Sequence, residues 1–124
     1  MDFELPETTR LLRDLVRRFV EEELMPIEPR ALEREARGGP LTPPREEMTV
    51  LWDKARKVGL AGLDVPAALG GAEIGAIAKT VVTEELSRSI IPFAFPPDAP
   101  NLHMMLRTVN DEQRERYLMP YARG

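Results

Sequence analysis

Few side chains in this sequence have the type and spacing that chemistry requires. Carboxylates occur in two short runs, 21–23 and 84–85. Two carboxylates work together as acid and base only when they face each other, and adjacent helical residues point about 100° apart. We therefore interpret both runs, including Glu84 and Glu85, as structural or solvated side chains, and we predict no catalytic residue in this chain.

The sequence gives equally little support for a catalytic nucleophile or for a metal site. The sequence has no cysteine and one histidine, His103. Ser87 and Ser89 have no histidine close in sequence, and although a spatial pairing with His103 stays open, nothing indicates an activated nucleophile. Structural and catalytic metal sites need three or four ligands, so we predict none here. His103 is expected on a helix surface or at the wall of a pocket.

Composition narrows the class of protein. The chain has 124 residues and a formal net charge of -4 at pH 7. Its length fits one domain, and its acidic balance argues against a nucleic-acid binder. The start, "MDFELPE", lacks the apolar stretch of a signal peptide, and no run reaches the roughly 20 apolar residues of a membrane span. We expect a cytoplasmic protein with neither a nucleic-acid nor a membrane partner.

The elements that must position these side chains are helical. Apolar residues recur at spacings of three and four in the first run, and Pro26 and Pro29 are expected to end or bend it. A second short helix is predicted over 30–37. No stretch alternates convincingly with a period of two. We therefore predict an all-α domain of five or six helices around one core. The apolar face of the first helix comprises Leu11, Leu12, Leu15, Val16, Phe19, Val20 and Leu24.

A third helix follows the loop "GGPLTPP". Thr42 is its predicted N-cap, with Pro43 and Pro44 in the first turn. Trp52 is expected to be buried, and Gly59 stands where a left-handed C-cap glycine belongs. The predicted apolar stripe comprises Met48, Leu51, Trp52, Ala55 and Val58.

The second half of the chain predicts three more helices. The fourth is expected to begin near Glu73 or Ile74 and to end before Pro92. Asp98 is the predicted cap of a short helix that carries Leu102 and Met105. Asn110 and Gln113 have capping-box spacing at the start of the last helix. The predicted face of the fourth helix comprises Ile74, Ile77, Ala78, Val81, Val82, Glu85 and Leu86.

Residues 58–75, "VGLAGLDVPAALGGAEIG", are nearly uncharged and contain five glycines. We name them the crossover segment. The part before Pro66 is predicted to be extended, and Gly70 and Gly71 permit a tight turn. Leu63, Val65 and Leu69 indicate burial. Two interpretations stay open: a crossing packed on the core of this chain, or a surface that another domain covers.

Four motifs in order resemble the N-terminal helical domain of acyl-CoA dehydrogenases. They are the proline-containing first helix, the G-L-x-G-x-x-V-P segment after a Trp-led helix, the E-E-L-x-R helix end, and the closing "DEQRERYLMPYARG". The motif residues in the middle two are Trp52, Gly59, Leu60, Gly62, Val65, Pro66, Gly70, Gly71, Glu84, Glu85, Leu86 and Arg88. A finer likeness, to a branch with an A-P-D-x-x-N segment, is carried by Pro97, Asp98 and Asn101, whereas Pro96 departs from it.

This resemblance implies an oxidoreductase that contains FAD, removes hydrogens from the α and β carbons of an acyl-CoA, and takes part in fatty acid metabolism. In the family the flavin and the catalytic base belong to a middle β-domain and a C-terminal helical domain, which residues 1–124 do not resemble. The chain alone is therefore expected to be inactive and to bind no FAD. For the complete enzyme the resemblance implies electron-transfer flavoprotein as partner and a homo-oligomeric state.

The resemblance also suggests candidate sites. The acyl side of the substrate pocket is predicted to involve Phe93, Phe95, Asp98, Asn101 and Met105, because phenylalanines among prolines build a rigid apolar wall. The alternative is that both phenylalanines are core and Asp98 only caps a helix.

A contact surface for the missing domains is predicted at Leu63, Val65 and Leu69, with an exposed apolar patch that also includes Phe93 and Phe95. The alternative function is a stand-alone helical binding or assembly module that keeps the fold without the enzyme.

Overall fold

The helices account for most of the chain in a computed structural model that describes residues 4–97 and 101–124. None of these residues forms a β-strand, so the all-α prediction is confirmed. The helices are α1 Glu7–Phe19, α2 Glu28–Ala36, α3 Arg45–Lys57, α4 Ala76–Leu86, α5 Leu102–Thr108, α6 Asp111–Gln113 and α7 Met119–Arg123.

Two prolines change the type of helix without interrupting it. A π-helical turn, Val20–Leu24, follows α1 and precedes Pro26, and a second π-helical turn, Arg114–Leu118, joins α6 to α7 and precedes Pro120. Proline has no N–H to donate, and its ring clashes with the carbonyl four residues earlier. A wider turn just before each proline accommodates both effects. The first helix therefore continues through the short 3₁₀ turn Met25–Ile27 into α2.

The chain divides into two compact units. The first comprises Met1–Leu51 and Ala76–Phe93, and the second comprises Trp52–Gly75 and Ala94–Gly124. In the first unit α1 packs along α4. The interpretation as one domain with a single core stays a prediction. In the second unit Val65, Leu69, Leu102, Leu118 and Ala122 form a buried cluster, against which Met105, Leu106, Val109 and Met119 pack.

The beginning of α3 differs from the prediction. The helix starts at Arg45, so Pro43 and Pro44 precede it and Thr42 is not its N-cap. The guanidinium group of Arg34 explains the shape of this loop, because it donates hydrogen bonds to the carbonyl oxygens of Pro40, Leu41 and Thr42. These bonds hold the loop carbonyls towards α2.

The apolar stripe of α3 is only partly buried. Leu51 and Ala55 are buried, whereas Val58 is 47% exposed. Trp52 is half-buried, so the prediction that it is buried is wrong. Its Nε1–H donates a hydrogen bond to the carbonyl oxygen of Ala94 at 3.2 Å, which keeps the polar edge of the ring near the surface. Gly59, with φ of 80°, caps the helix as predicted.

The fourth and last helices confirm most of their predicted features. In α4 Val81, Val82 and Glu85 are buried as expected, but Ile77 is 65% exposed and the helix begins later than predicted, at Ala76. Asp98, the predicted cap of α5, lies outside the described residues. At the last helix the capping box is confirmed, because Gln113 N donates to Asn110 Oδ1 at 2.9 Å and Asn110 N donates to Gln113 Oε1 at 3.1 Å.

The crossover segment folds back on itself, so the predicted extended run before Pro66 is wrong. Gly62 adopts φ of 69° and its carbonyl oxygen accepts hydrogen bonds from Val65 N and Ala72 N. Glu73 N donates to Val65 O at 3.0 Å, and the Glu73 carboxylate accepts from Ala67 N at 2.9 Å. A buried backbone must find such partners, and here most of them lie within the segment.

Candidate functional site

A buried carboxylate, that of Glu85, lies between α1 and α4. Glu85 is only 4% exposed. Its carboxylate accepts two hydrogen bonds from Arg17, at 3.1 Å from Nε and 2.6 Å from Nη2, and a third from Arg88 Nη1 at 3.1 Å. Arg88 also donates through Nη2 to Glu21 at 3.0 Å. We name these four residues, Arg17, Glu21, Glu85 and Arg88, the Glu85 cluster.

The helices bring this cluster together in register. Arg17 and Glu21 lie one turn apart at the end of α1 and the start of the π-helical turn. Glu85 lies in the last turn of α4, and Arg88, three residues later, lies in the turn that follows the helix. Residues three or four apart share one helical face, so two neighbouring faces supply two acids and two bases.

The electrostatics of the cluster favour the charged form of Glu85. The hydrogen bonds from Arg17 lower the pKa of the Glu85 carboxyl below its usual value, and those from Arg88 add to this effect against the opposing influence of burial. A general base works best with a pKa near the operating pH and a free lone pair aimed at its substrate. The lowered pKa of Glu85 does not meet the first of these conditions, and three hydrogen bonds from arginines already engage its carboxylate, which favours the structural interpretation.

The serines and the histidine are also accounted for. Ser87 Oγ donates to the carbonyl oxygen of Thr83 at 2.8 Å, and Ser89 Oγ donates to Glu28 Oε1 at 2.7 Å. The hydroxyl protons of both serines are thus directed at groups other than His103. His103 lies exposed on α5, in line with the surface alternative. Within residues 4–97 and 101–124, no group of side chains could hold a metal ion.

The predicted pocket residues fall into different environments. Phe93, in the first unit, is half-buried and its ring lies 5.5 Å from that of Phe19. In the second unit Phe95 is buried, Met105 packs half-buried against the hydrophobic cluster, and Asn101 is exposed before α5. Asp98 is not among the described residues. Of the described members of the predicted set, Asn101 is therefore exposed, Phe93 and Met105 are half-buried, and Phe95 is buried.

The predicted apolar contact surface requires a correction. Leu63, Val65 and Leu69 are 9%, 1% and 7% exposed. Val65 and Leu69 belong to the hydrophobic cluster of their own unit, where helices of the same chain cover them. Together with buried Phe95, they do not form the exposed patch that was expected. The part of the crossover that looked like a docking surface is instead core.

Two residues of structural importance had no signal in the sequence. Glu28 accepts hydrogen bonds from Ser89 Oγ and from Ile90 N. Arg17 donates hydrogen bonds to Glu85, which is 68 residues away in the sequence. Only Arg88, three residues after Glu85, could have been found from helical spacing.

The sequence comparison assigns the chain to a family. The family described as "Acyl-CoA dehydrogenase, N-terminal domain" matches residues 6–124. The chain belongs to this family. The structure supports the membership at the level of fold, since the described residues are helical throughout their regular elements.

The curated relatives of this chain include dehydrogenases that are longer than the chain itself. The chain is 39% identical over 132 residues to (R)-benzylsuccinyl-CoA dehydrogenase of Thauera aromatica, with 100% of the chain and 32% of that protein aligned. It is 32% identical over 124 residues to the mitochondrial short-chain specific acyl-CoA dehydrogenase of Mus musculus, with 98% of the chain and 28% of that protein aligned. The chain thus spans about a third of the length of the relatives it matches.

A solved structure confirms the fold. It is described as "Electron transferring flavoprotein of Acidaminococcus fermentans: Towards a mechanism of flavin-based electron bifurcation". The TM-score is 0.63 at 22% identity, over 100% of this chain and 31% of that chain. Among the described residues of this chain, no helix is long and apolar enough to cross a membrane.

Proposed function

We propose that this chain is the N-terminal domain of an FAD-dependent acyl-CoA dehydrogenase, which carries out α,β-dehydrogenation of acyl-CoA thioesters. The observation that carries the proposal is the family match over residues 6–124. The relatives are dehydrogenases roughly three times as long, and their matched portion corresponds to nearly all of this chain. The chain would therefore supply one part of the enzyme.

The residues described here do not fit a flavin site. A site for a large polar cofactor leaves buried polar groups that the cofactor satisfies. Among the described residues, every buried side-chain nitrogen and oxygen atom already has a partner within the chain. Glu85, the buried carboxylate, is held by two arginines and takes no part in proton abstraction. In the proposal, FAD and the catalytic base belong to other parts of the polypeptide, and the chain alone binds no FAD.

The proposed contribution of this chain is to the acyl side of the substrate pocket. The exposed amide of Asn101 and the flexible, half-buried side chain of Met105 lie one turn apart around the start of α5. A methionine adapts its shape to an apolar ligand, and an amide meets a polar substituent. Phe93, Phe95 and Asp98 remain in the proposal as supporting positions.

Further features of the enzyme follow from the same proposal. Its electrons would pass to electron-transfer flavoprotein, it would act as a homo-oligomer, and it would work in fatty acid metabolism in the cytoplasm. These features rest on family membership.

The proposal is tested on the native gene product. We would sequence the DNA beyond codon 124, purify the encoded protein at its natural length, and record its absorption spectrum. Anaerobic addition of short-chain acyl-CoA or of (R)-benzylsuccinyl-CoA, the acyl groups named for the relatives, should bleach the flavin band. If the purified protein lacks flavin and no flavin-containing chain co-purifies with it, the result would contradict the proposal and favour the stand-alone module.

The pocket assignment has its own test in the same enzyme. Met105→Ala should change the ratio of kcat/KM between two acyl-CoA substrates that differ by several carbons, by about tenfold or more. Met104→Ala is the matched control, because Met104 is 61% exposed on the same helix and should leave the ratio unchanged. Equal effects of the two substitutions would remove Met105 from the pocket.

A further inference from the structure

A carboxylate at the start of α2 orders the chain just beyond the end of α4. Glu28 is half-buried, and its Oε1 accepts hydrogen bonds from Ser89 Oγ at 2.7 Å and from Ile90 N at 3.2 Å. Ser89 Oγ in turn accepts a hydrogen bond from Ile91 N at 3.2 Å. All four residues belong to the first unit. We name Glu28 and Ser89 the Glu28–Ser89 pair.

The Glu28–Ser89 pair supplies acceptors that the helix no longer provides. The last residue of α4 is Leu86, and residues 87–91 form turns and bends. The amide of Ser89 still donates to the carbonyl oxygen of Leu86, but those of Ile90 and Ile91 donate to the pair. A hydrogen bond is strong only when the N–H points at its acceptor. The path of the backbone at Ile90 and Ile91 therefore depends on the pair.

The stretch ordered by the pair leads directly to Phe93. The side chain of Ile91 is buried, and Pro92 has a fixed φ and no N–H to donate. The half-buried ring of Phe93 lies 5.5 Å from that of Phe19. Because little backbone freedom remains between Ile91 and Phe93, the pair determines where this aromatic ring lies.

We propose that Glu28 and Ser89 are positioning residues for acyl-chain selection, which hold Phe93 in the wall of the acyl pocket. The inference rests on the proposed function, in which Phe93 is a supporting position of that pocket. An apolar wall discriminates between acyl groups only while its side chains are held in place, since a wall that can relax accepts both. The pair thus acts on selectivity, through Phe93, and not on the dehydrogenation step.

A purely structural role of the pair predicts a different pattern. If the pair only stabilised the end of α4, breaking it would lower stability, or the activity towards all substrates alike. If the pair positions Phe93, breaking it changes the ratio of kcat/KM between two substrates, and only while the Phe93 ring is present. The discriminating measurement is therefore this ratio in single and double variants.

The experiment uses the flavin-containing enzyme at its natural length and two acyl-CoA substrates that differ by several carbons, such as butyryl-CoA and octanoyl-CoA. Ser89→Ala removes the acceptor for Ile91 N and should shift the ratio of kcat/KM by about fivefold, towards lower selectivity. Phe93→Ala should shift the ratio in the same direction. Adding Ser89→Ala to Phe93→Ala should change the ratio no further, because the pair acts through the ring.

Conservative and control variants separate positioning from damage to the fold. Glu28→Gln keeps an oxygen that accepts hydrogen bonds and should retain the original ratio, whereas Glu28→Ala should shift it as Ser89→Ala does. Thr83→Ala is the matched control, because it also removes a hydroxyl from the first unit. Thr83 is exposed and bonds only to the carbonyl oxygen of Lys79 within α4, so its loss should leave the ratio unchanged.

Hydrogen exchange measures the loss of the contact independently of activity. In Ser89→Ala the amides of Ile90 and Ile91 should exchange about tenfold faster. Unchanged exchange, an unchanged ratio in Ser89→Ala or in Phe93→Ala, or equal shifts in Glu28→Gln and Glu28→Ala would overturn the inference. So would a further shift when Ser89→Ala is added to Phe93→Ala. In each of these cases the substrates still reduce the flavin and the proposed function stands, whereas an enzyme without flavin would remove both.

Discussion

The Glu85 cluster and the crossover segment are both held by dense hydrogen bonding, but the atoms that form the bonds differ. In the Glu85 cluster, four charged side chains from α1, the π-helical turn after it and the end of α4 bond to one another. In the crossover segment, backbone N–H and C=O groups bond mainly to each other, with Glu73 supplying a single carboxylate contact.

This difference decides how each region responds to change. A bond between side chains disappears when either side chain is replaced, and it weakens when a carboxylate is protonated. A bond between backbone groups survives most substitutions, so the segment is vulnerable mainly where a new side chain has no room. We therefore expect the crossover to fail by steric conflict and the Glu85 cluster to fail by titration or loss of charge.

The largest effect is expected at Gly71 in the crossover segment. A Cβ atom at Gly71 would lie 2.0 Å from the carbonyl oxygen of Val65, far inside van der Waals contact. Relief requires the backbone at Val65 to move, and Val65 is part of the buried cluster. Gly71→Ala should therefore lower the free energy of unfolding by about 3 kcal/mol or more, at the upper end of overpacking effects, in chemical denaturation.

Gly75→Ala is the matched control four residues later. A Cβ at Gly75 meets no atom within 4 Å, and its φ is not in the left-handed region. Its effect should stay within about 0.5 kcal/mol, as for ordinary surface substitutions. Similar stabilities of the two variants would show that the close approach of Gly71 to Val65 does not constrain the fold.

The next effect in size concerns Glu85. Glu85→Gln keeps the shape of the side chain but removes the charge that two arginines share, so we expect a loss of about 1–3 kcal/mol, typical of hydrogen bonds to charged groups. Glu84→Gln is the control, because Glu84 is exposed. Equal losses in urea denaturation would mean that burial of the carboxylate is without consequence.

The stability difference between the original chain and Glu85→Gln should depend on pH with a definite sign. Because the pKa of Glu85 is lowered in the folded protein, the unfolded chain takes up its proton first as the pH falls. The stabilisation is present above the ordinary glutamate pKa of about 4.3 and is lost as the pH falls through the folded value. The gap between the original chain and Glu85→Gln should thus be constant near neutral pH and shrink below about pH 4. A gap that widens in acid is the contrary result.

The same contrast explains what the sequence could predict. The capping box of Asn110 and Gln113 and the C-cap at Gly59 each involve residues only a few positions apart in the sequence. Their spacing in the sequence therefore determines their geometry. The partnership of Arg17 with Glu85 spans 68 residues and depends on how two helices pack, which no local pattern encodes.

The crossover was predicted only in part, for a related reason. Its composition indicated burial, and Val65 and Leu69 are indeed buried. Composition does not reveal what covers a residue, so the same pattern also suggested a surface for another domain. Nor did it reveal that Glu73 adopts φ of 45° and returns its carboxylate to Ala67 N, since a non-glycine residue in this conformation has no sequence signature.

A third, smaller loss of stability is expected at Asn110, where a side chain bonds to the backbone. At Asn110 a side chain bonds to backbone N–H at the start of the last helical run. Asn110→Ala should cost about 1 kcal/mol, the usual value for an N-cap. Asn101→Ala is the control, because Asn101 precedes α5 without a side-chain capping bond, and should cost only a few tenths of that figure. If thermal unfolding shows both equal, the capping box does not stabilise the chain.

The smallest effect is expected for Trp52→Phe, which removes one hydrogen bond from a side chain to the backbone. The indole Nε1–H donates to Ala94 O at 3.2 Å, and the ring is only half-buried. Trp52→Phe keeps an aromatic ring but removes the donor, and water can reach the carbonyl oxygen that is left. The cost should therefore be about 0.5–1 kcal/mol, that of one ordinary hydrogen bond. Trp52→Ala, which also removes the ring, should cost more, yet less than the roughly 3–5 kcal/mol of a buried aromatic. If urea denaturation of either variant shows a loss of unfolding free energy within that larger range, Trp52 is part of the core and its exposed edge is covered in solution.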